Sequence, residues 1–307
     1  MRSYLLLGGA GFLGSNLAWT LAMAGARVFV FERPAADLRR LARLDRQVKV
    51  ITGTLSDTDS VMSVIAEHHI DTVVHLVSGL LPASGFIEYQ QELSLVIAAT
   101  IALFRRCSKV GVRVVFFSSG GAIYGDSLGE KLSEKHPLAP ISYYGFSKLQ
   151  IEEYIQFEHR RTGLEFLIVR PSNPYGRFQS PEGNQGLIAI AFGRLRKALP
   201  IEVWGDGSVV RDYIDVEDLM HAVFGLLESG VANAIFNVGS GSGASVIDVI
   251  KMVEESSGLK ANIRFTSARD VDVQSVVLDI ENLRRVIDFE PIDLRSGIRK
   301  FCGTWGG

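Results

Sequence analysis

The segment Gly8-Gly9-Ala10-Gly11-Phe12-Leu13-Gly14 constrains the fold more than any other part of the chain. It follows the apolar run Tyr4 to Leu7 directly and opens a helix-period stretch at 12–23. Glycine is what lets a backbone turn that sharply from strand to helix and come close to a ligand. The helix amino terminus then offers N–H groups and a positive dipole end to a pyrophosphate. Beyond it, apolar runs alternate with helical patterns. Strands are expected at Tyr4–Leu7, Val28–Phe31, Val48–Ile51, Thr72–Leu76, Val114–Phe117 and Leu164–Val169, with helices near 12–23, 35–46, 57–68, 88–109 and 142–162. That order predicts an α/β fold, a doubly wound parallel sheet covered on both faces.

Glu32 ends the second strand, about 20 residues past the glycines, where a carboxylate can accept hydrogen bonds from both hydroxyls of a dinucleotide ribose. It would also repel a 2′-phosphate, which favours NAD over NADP. The adjacent Arg33 could instead stack on adenine or grip that phosphate. Asp57 reads as a helix N-cap rather than an adenine ligand.

With 32 basic against 34 acidic residues, the chain as a whole has no positive field to attract nucleic acid or an anionic membrane. Two cysteines, Cys107 and Cys302, are too few for a disulfide framework, and six scattered histidines show no zinc spacing, so no metal is expected. This usage fits a cytoplasmic protein. Arg2 with the apolar stretch Leu5 to Leu17 imitates a signal peptide, but its glycines thin it and a strand follows. The run Ser94 to Phe104 is shorter than the roughly 20 apolar residues a bilayer requires and reads as a buried helix.

After Arg170-Pro171 the sequence becomes a loop rich in Pro, Asn, Gly and Ser, up to Gly186, of a kind that a compact domain rarely keeps without a ligand. The expected division is a dinucleotide-binding domain at 1–171, with 212–240 returning to it through the strand Ile235–Val238, and a smaller lobe at 172–211 and 241–307. In that lobe a helix is expected at 245–257, a strand at Asn262–Phe265 and a helix near 280–288. No internal repeat is present.

The strand Val114–Phe117 runs into Ser118-Ser119-Gly120-Gly121-Ala122-Ile123-Tyr124-Gly125, and Ser142-Tyr143-Tyr144-Gly145-Phe146-Ser147-Lys148 opens a helix. Tyr144 and Lys148, four residues apart, project from one face. An ammonium beside a phenol favours phenolate and would draw the tyrosine down from about 10 toward the range of an acid–base catalyst. Lys148 can also reach a nicotinamide ribose.

Together these segments resemble the extended short-chain dehydrogenase/reductase family, in its nucleotide-sugar epimerase and dehydratase branch. The resemblance extends through Val74-His75-Leu76, Arg170-Pro171-Ser172-Asn173-Pro174-Tyr175-Gly176, Gly205-Asp206-Gly207, Arg211 to Leu219, Phe236 to Gly241, and Arg269 with Asp272, nearly the whole chain. It implies an NAD cofactor held by Gly8, Gly11, Phe12, Leu13, Gly14, Glu32, Arg33, Leu76, Tyr144, Lys148 and Pro171. It further implies Tyr144 as acid and base, Lys148 as its modulator, and Asn173, Arg211 and Arg269 as contacts to the diphosphate and nucleoside of a sugar nucleotide. Arginine's planar fork suits those phosphate oxygens.

The sequence departs from the family pattern where a catalytic hydroxyl is usual, with Gly120 and Ala122 at those positions and Ser119 as the nearest hydroxyl. Gly121-Ala122 also lacks the carboxylate that dehydratases of this kind carry, which ranks simple redox at C4 above elimination. Asp215 and Asp218 read as helix-capping and first-turn charges, and Trp204 and Tyr213 as packing residues. The broad apolar surface of the helices near 88–109 and 142–162 matches the helices through which similar proteins form homodimers.

The implied activity is an NAD-dependent nucleotide-sugar 4-epimerase, acting on a UDP-hexose through a transient 4-keto sugar. Its alternatives are an NAD(P)H-dependent nucleotide-4-keto-sugar reductase and a catalytically idle dinucleotide-binding sensor or scaffold.

Overall fold

The computed structural model describes residues 2–44, 47–127, 129–183, 185–267 and 273–304. Numbering strands along the chain, the main sheet contains β1 (Ser3–Leu7), β2 (Arg27–Glu32), β3 (Val48–Thr52), β4 (Thr72–His75), β5 (Arg113–Phe117), β7 (Phe166–Pro171) and β11 (Ala234–Val238). All its pairings are parallel, in the order β11-β7-β5-β4-β1-β2-β3. The expected doubly wound sheet is therefore present. Its order reverses between β1 and β4, and ligands of such sheets bind outside the strand ends at that reversal.

Alternate residues of each strand enter opposite cores. Tyr4 and Leu6 of β1, Val74 of β4, and Val115 and Phe117 of β5 join the core under α1 (Phe12–Met23) and α7 (Val216–Glu228). Leu5, Leu7, Val73, Val114 and Phe116 join the opposite core, under α2 (Thr58–His68), α4 (Ala98–Lys109) and α5 (Tyr143–Thr162). A π-helical turn, Leu93–Ile97, joins α4 to the preceding helix α3 (Phe86–Glu92).

The region expected as a helix at 35–46 forms only a 3₁₀ turn, Arg39–Leu44. The Asp37 carboxylate accepts the Arg39 N–H, and Leu41 and Leu44, three residues apart, meet the core at the shorter 3₁₀ period. The predicted helix near 280–288 shortens likewise to α9 (Glu281–Arg284).

Outside the main sheet the chain builds the helix expected at 245–257 and the strand expected at Asn262–Phe265, together with short pieces that local pattern did not reveal. A second sheet holds β6 (Lys131–Leu132), β8 (Asn173–Tyr175), β10 (Val210–Asp215), β12 (Gly243–Ser245) and β14 (Ser275–Leu278). β9 (Ile201–Trp204) pairs with β13 (Ile263–Thr266). Helices α6 (Leu187–Arg196), α8 (Val246–Ser257) and α10 (Leu294–Thr304) share a third core, with Ile188, Phe192, Val249, Val253, Ile298 and Phe301. No helix among the described residues is long and apolar enough to cross a membrane.

Helix α5 is fixed with unusual firmness. The Ser142 hydroxyl accepts the Gly145 N–H at 3.1 Å as its N-cap. A side chain at Gly145 would lie 2.2 Å from the Ala122 carbonyl oxygen, so the helix can rest on that loop only through glycine. Farther along, buried Glu152 accepts Arg170 Nη2 at 2.6 Å and Nε at 3.0 Å, which ties α5 to β7. Arg170 Nη1 donates to the Tyr124 hydroxyl, which donates to Asn237 Oδ1 on β11 at 2.6 Å. Removing one partner strands a buried charge. Arg170→Met should therefore lower the urea-unfolding free energy by about 3–5 kcal/mol, with much of the loss recovered on adding Glu152→Leu. A double variant as unstable as the single one would contradict this account.

Candidate active site

The strand ends place the nucleotide end first. Gly8, with φ of 79°, turns the chain out of β1, and a side chain at Gly14 would lie 2.5 Å from the Gly8 carbonyl and 2.6 Å from Gly9 Cα. The glycines thus let α1 begin directly against the turn. Its N-cap, Gly11, makes no side-chain cap bond, and its first turn, which includes Phe12 and Leu13, holds no acidic residue. The N–H groups there are presented to an incoming anion.

Across the reversal, Glu32 ends β2. Burial raises its carboxyl above the ordinary range, while N–H bonds from Ala10 and Arg33 pull it back. Its Oε2 is buried without a hydrogen-bond partner among the described residues. A buried, unsatisfied carboxylate oxygen opposite a glycine cradle suits the hydroxyls of a ribose, so these residues fit a dinucleotide. Leu76 leaves β4 beside β1, donating its N–H to Leu7 O, and Pro171 ends β7.

At the reactive end, Lys148 is buried and donates Nζ to the Phe117 carbonyl at 3.0 Å, at the end of β5. Its Nζ lies 5.7 Å from the centre of the Tyr144 ring. Burial draws the ammonium down to about 8, against the opposing charges of Glu92 and Glu152. Burial pushes the Tyr144 phenol above its ordinary value, a hydrogen bond with Ser119 lowers it, and Glu92 raises it. The expected depression by Lys148 is therefore not realised. Loss of water around the phenol outweighs it, and the ammonium spends a hydrogen bond on a backbone carbonyl.

Gly120 could not carry a hydroxyl without rearrangement, because its Cβ would lie 2.6 Å from Leu278 Cδ1 and 3.1 Å from the Arg170 carbonyl. Ser119 fills the gap beside the phenol. At Gly121 a Cβ would meet only ordinary contacts, 3.6 Å from Asn173 Oδ1 and 4.0 Å from Ser119 Oγ, so Asn173 and Ser119 face the same opening. Asn173 also donates Nδ2 to the Asp212 carbonyl at 2.8 Å. Arg211 donates Nη1 to the Val210 and Val273 carbonyls. Arg269 and Asp272 lie outside the described residues.

Asp212 is buried and accepts from Ser240 and Gly241 at 2.8 and 3.1 Å. Asp57 and Asp215 do cap helices, and Tyr213 is buried, but Trp204 is exposed. Sequence reading missed Gly145, the Glu152–Arg170 pair and Glu92. For the ion pair the available signal was a carboxylate four residues past Lys148 on the same helical face. For Glu92 it was an acid at the border of a long apolar run.

The model of the NAD dependent epimerase/dehydratase family matches residues 4–239. The chain belongs to this family. Its cofactor is NAD, and its enzymes are of the extended short-chain dehydrogenase/reductase type, as the motifs implied. The family likeness extends to solved structures. The UDP-glucose 4-epimerase of Thermotoga maritima, solved with UDP-glucose, is 28% identical with a TM-score of 0.92 over 99% of both chains. That of Thermus thermophilus, solved with NAD, is 28% identical with a TM-score of 0.91, covering 100% of this chain and 99% of the other. A dTDP-4-dehydro-6-deoxyglucose reductase from Escherichia coli is 29% identical over 96% of this chain and 95% of its own.

Replacing Glu32 by Ala should weaken NAD binding roughly 10- to 100-fold, the worth of hydrogen bonds to a buried charge. Calorimetric titration of the purified protein checks this, and an unchanged affinity would remove Glu32 from the ribose site.

Proposed function

We propose that the chain is a nucleotide-sugar 4-epimerase acting on a UDP-hexose. The observation that carries this reading is the convergence of the Tyr144 phenol, the Lys148 ammonium and the Ser119 hydroxyl at the end of β5, beside the opening faced by Asn173. NAD, when bound, supplies the ring that accepts the C4 hydrogen with its electron pair and returns it. Tyr144 takes the O4 proton as this happens and gives it back when the hydrogen is returned to the other face of C4. Ser119 holds O4 by hydrogen bonding in place of the hydroxyl excluded at Gly120. Lys148 supplies positive charge that stabilises the phenolate. Gly121 and Ala122 carry no acid for the proton abstraction that elimination requires.

In this reading the lobe at 172–211 and 241–307 seats the nucleotide diphosphate, with Asn173, Arg211 and Arg269 as its ligands. Tyr144→Phe should cut interconversion of UDP-glucose and UDP-galactose at least ~100-fold while NAD and UDP-glucose still bind. Chromatography of the sugar nucleotides with parallel binding titrations tests this. Turnover retained in the variant would dismiss the phenol as the base.

The reductase reading is favoured by the Escherichia coli relative and by Arg33 beside Glu32. It requires NAD(P)H to disappear in step with a 4-keto sugar nucleotide. Absence of that consumption, with C4 exchange present, selects the epimerase.

The homodimer belongs to the same proposal. Ile87, Leu95 and Phe157 are 70%, 59% and 49% exposed on α3, the π-turn and α5, beside the exposed Phe86 and Phe146. A second copy packing these helices together would cover them. Light scattering should give the mass of two chains for the wild type and of one for Leu95→Glu, and a monomeric wild type rejects the arrangement.

A further inference from the structure

Glu92 is only 4% exposed, yet it carries a carboxylate. It ends α3 three residues after Tyr89, so the two side chains leave the same helical face. That face packs on α5: the Tyr89 ring stacks on Tyr143 at 5.1 Å, and the Tyr89 hydroxyl donates to Gln150 Oε1 at 2.9 Å. On its other side Glu92 grips the loop leaving β4. Its Oε2 accepts the Gly79 N–H at 2.9 Å and its Oε1 the Ser78 hydroxyl at 3.3 Å. A side chain at Gly79 would stand 2.8 Å from that Oε2, so a close approach is built into the loop.

One good N–H bond and one long hydroxyl bond leave a buried carboxylate under-compensated. The neighbouring titratable groups narrow the choice of countercharge. His75 on β4 is neutral, its imidazole held down to about 3 by burial and by Lys148. Glu88, on α3, caps that helix's first turn through the Gly85 N–H. Glu152, on α5, is spent on Arg170. Tyr144 and Lys148 precede Glu152 on the same stripe of α5, ahead of Glu153, Glu158, His159, Arg160 and Arg161 toward its far end, and among the described residues of α5 Lys148 is the buried cation.

We propose that Glu92 is the positioning residue of the reactive pair, pinning the loop that follows β4 and setting beside the pair a buried negative charge that favours the Lys148 ammonium and opposes a Tyr144 phenolate. The inference rests on the reading of Tyr144 and Lys148 as that pair. The electrostatics agree with the geometry, since Glu92 opposes the effect of burial at Lys148 and adds to it at Tyr144.

Glu92→Gln separates this role from packing, because glutamine keeps the shape and an acceptor for Gly79 while removing the charge. Phenolate absorbance is titrated in the full-length wild type and in the variant, each minus its Tyr144→Phe counterpart, so that only Tyr144 is read. The expected result is a midpoint moved to lower pH in E92Q, while E92D, which keeps the charge, stays near the wild type. An unchanged midpoint in folded E92Q overturns the proposal. If E92Q folds poorly, E92Q/K148M, which carries neither charge, should melt at a higher temperature than E92Q alone, and a double variant that melts no higher overturns it as well. The titration uses no sugar nucleotide. A displaced midpoint in a protein that interconverts no sugars would uphold Glu92 and remove the epimerase reading alone.

Discussion

Two charges with almost no access to water decide where α5 sits. Tyr144, Lys148 and Glu152 succeed one another at intervals of four residues, so they form one stripe along α5. Glu152 is held by Arg170 through two guanidinium nitrogens, and the third reaches Tyr124. Leaving either ion unpaired in this interior costs several kcal/mol, so α5 cannot roll without breaking the pair. Whatever fixes the azimuth of Glu152 fixes that of the phenol two turns away. Gly145 sets the remaining coordinate, the height of the helix above the Ala122 carbonyl. The pair and the glycine together turn a helix that could pack in several ways into one that holds a hydroxyl and an ammonium at the end of β5.

The same burial that orients the pair also shapes its protonation. Withdrawing water disfavours the charged form of each group, which raises the phenol and lowers the ammonium to about 8. Ser119 and the two glutamates act against or alongside this through contacts fixed in the fold. The reactivity of the pair is therefore set by its surroundings as much as by the four-residue spacing that makes it recognisable.

That difference explains what could be read from the chain. The glycine turn, Glu32, the parallel sheet and the Tyr144–Lys148 face were legible because each rests on chemistry within a few residues or on a strong apolar period. The 35–46 segment misled because Leu38, Leu41 and Leu44, each three residues apart, satisfy a 3₁₀ turn as readily as an α-helix. β10, β14 and the helices α6 and α10 were not legible, since short elements gain their identity from partners far away in sequence, whereas the helix expected at 245–257 is present as α8. Asp212 shows the same limit. Nothing near it in the sequence marks it as buried, and its partners are the N–H groups of Ser240, Gly241 and Leu278, distant along the chain.

Asp212 also couples the two ends of the site. Its carboxylate joins β10 to the 239–241 turn and to β14, and a side chain at Gly239 would stand 2.5 Å from it. β14 in turn carries Leu278, the side chain that would collide with anything larger than hydrogen at position 120. Leu278 thus occupies the space that a side chain at position 120 would need, and it is the Ser119 hydroxyl that hydrogen-bonds the phenol. Residues that position β14 therefore act on the reactive loop as well as on the second sheet.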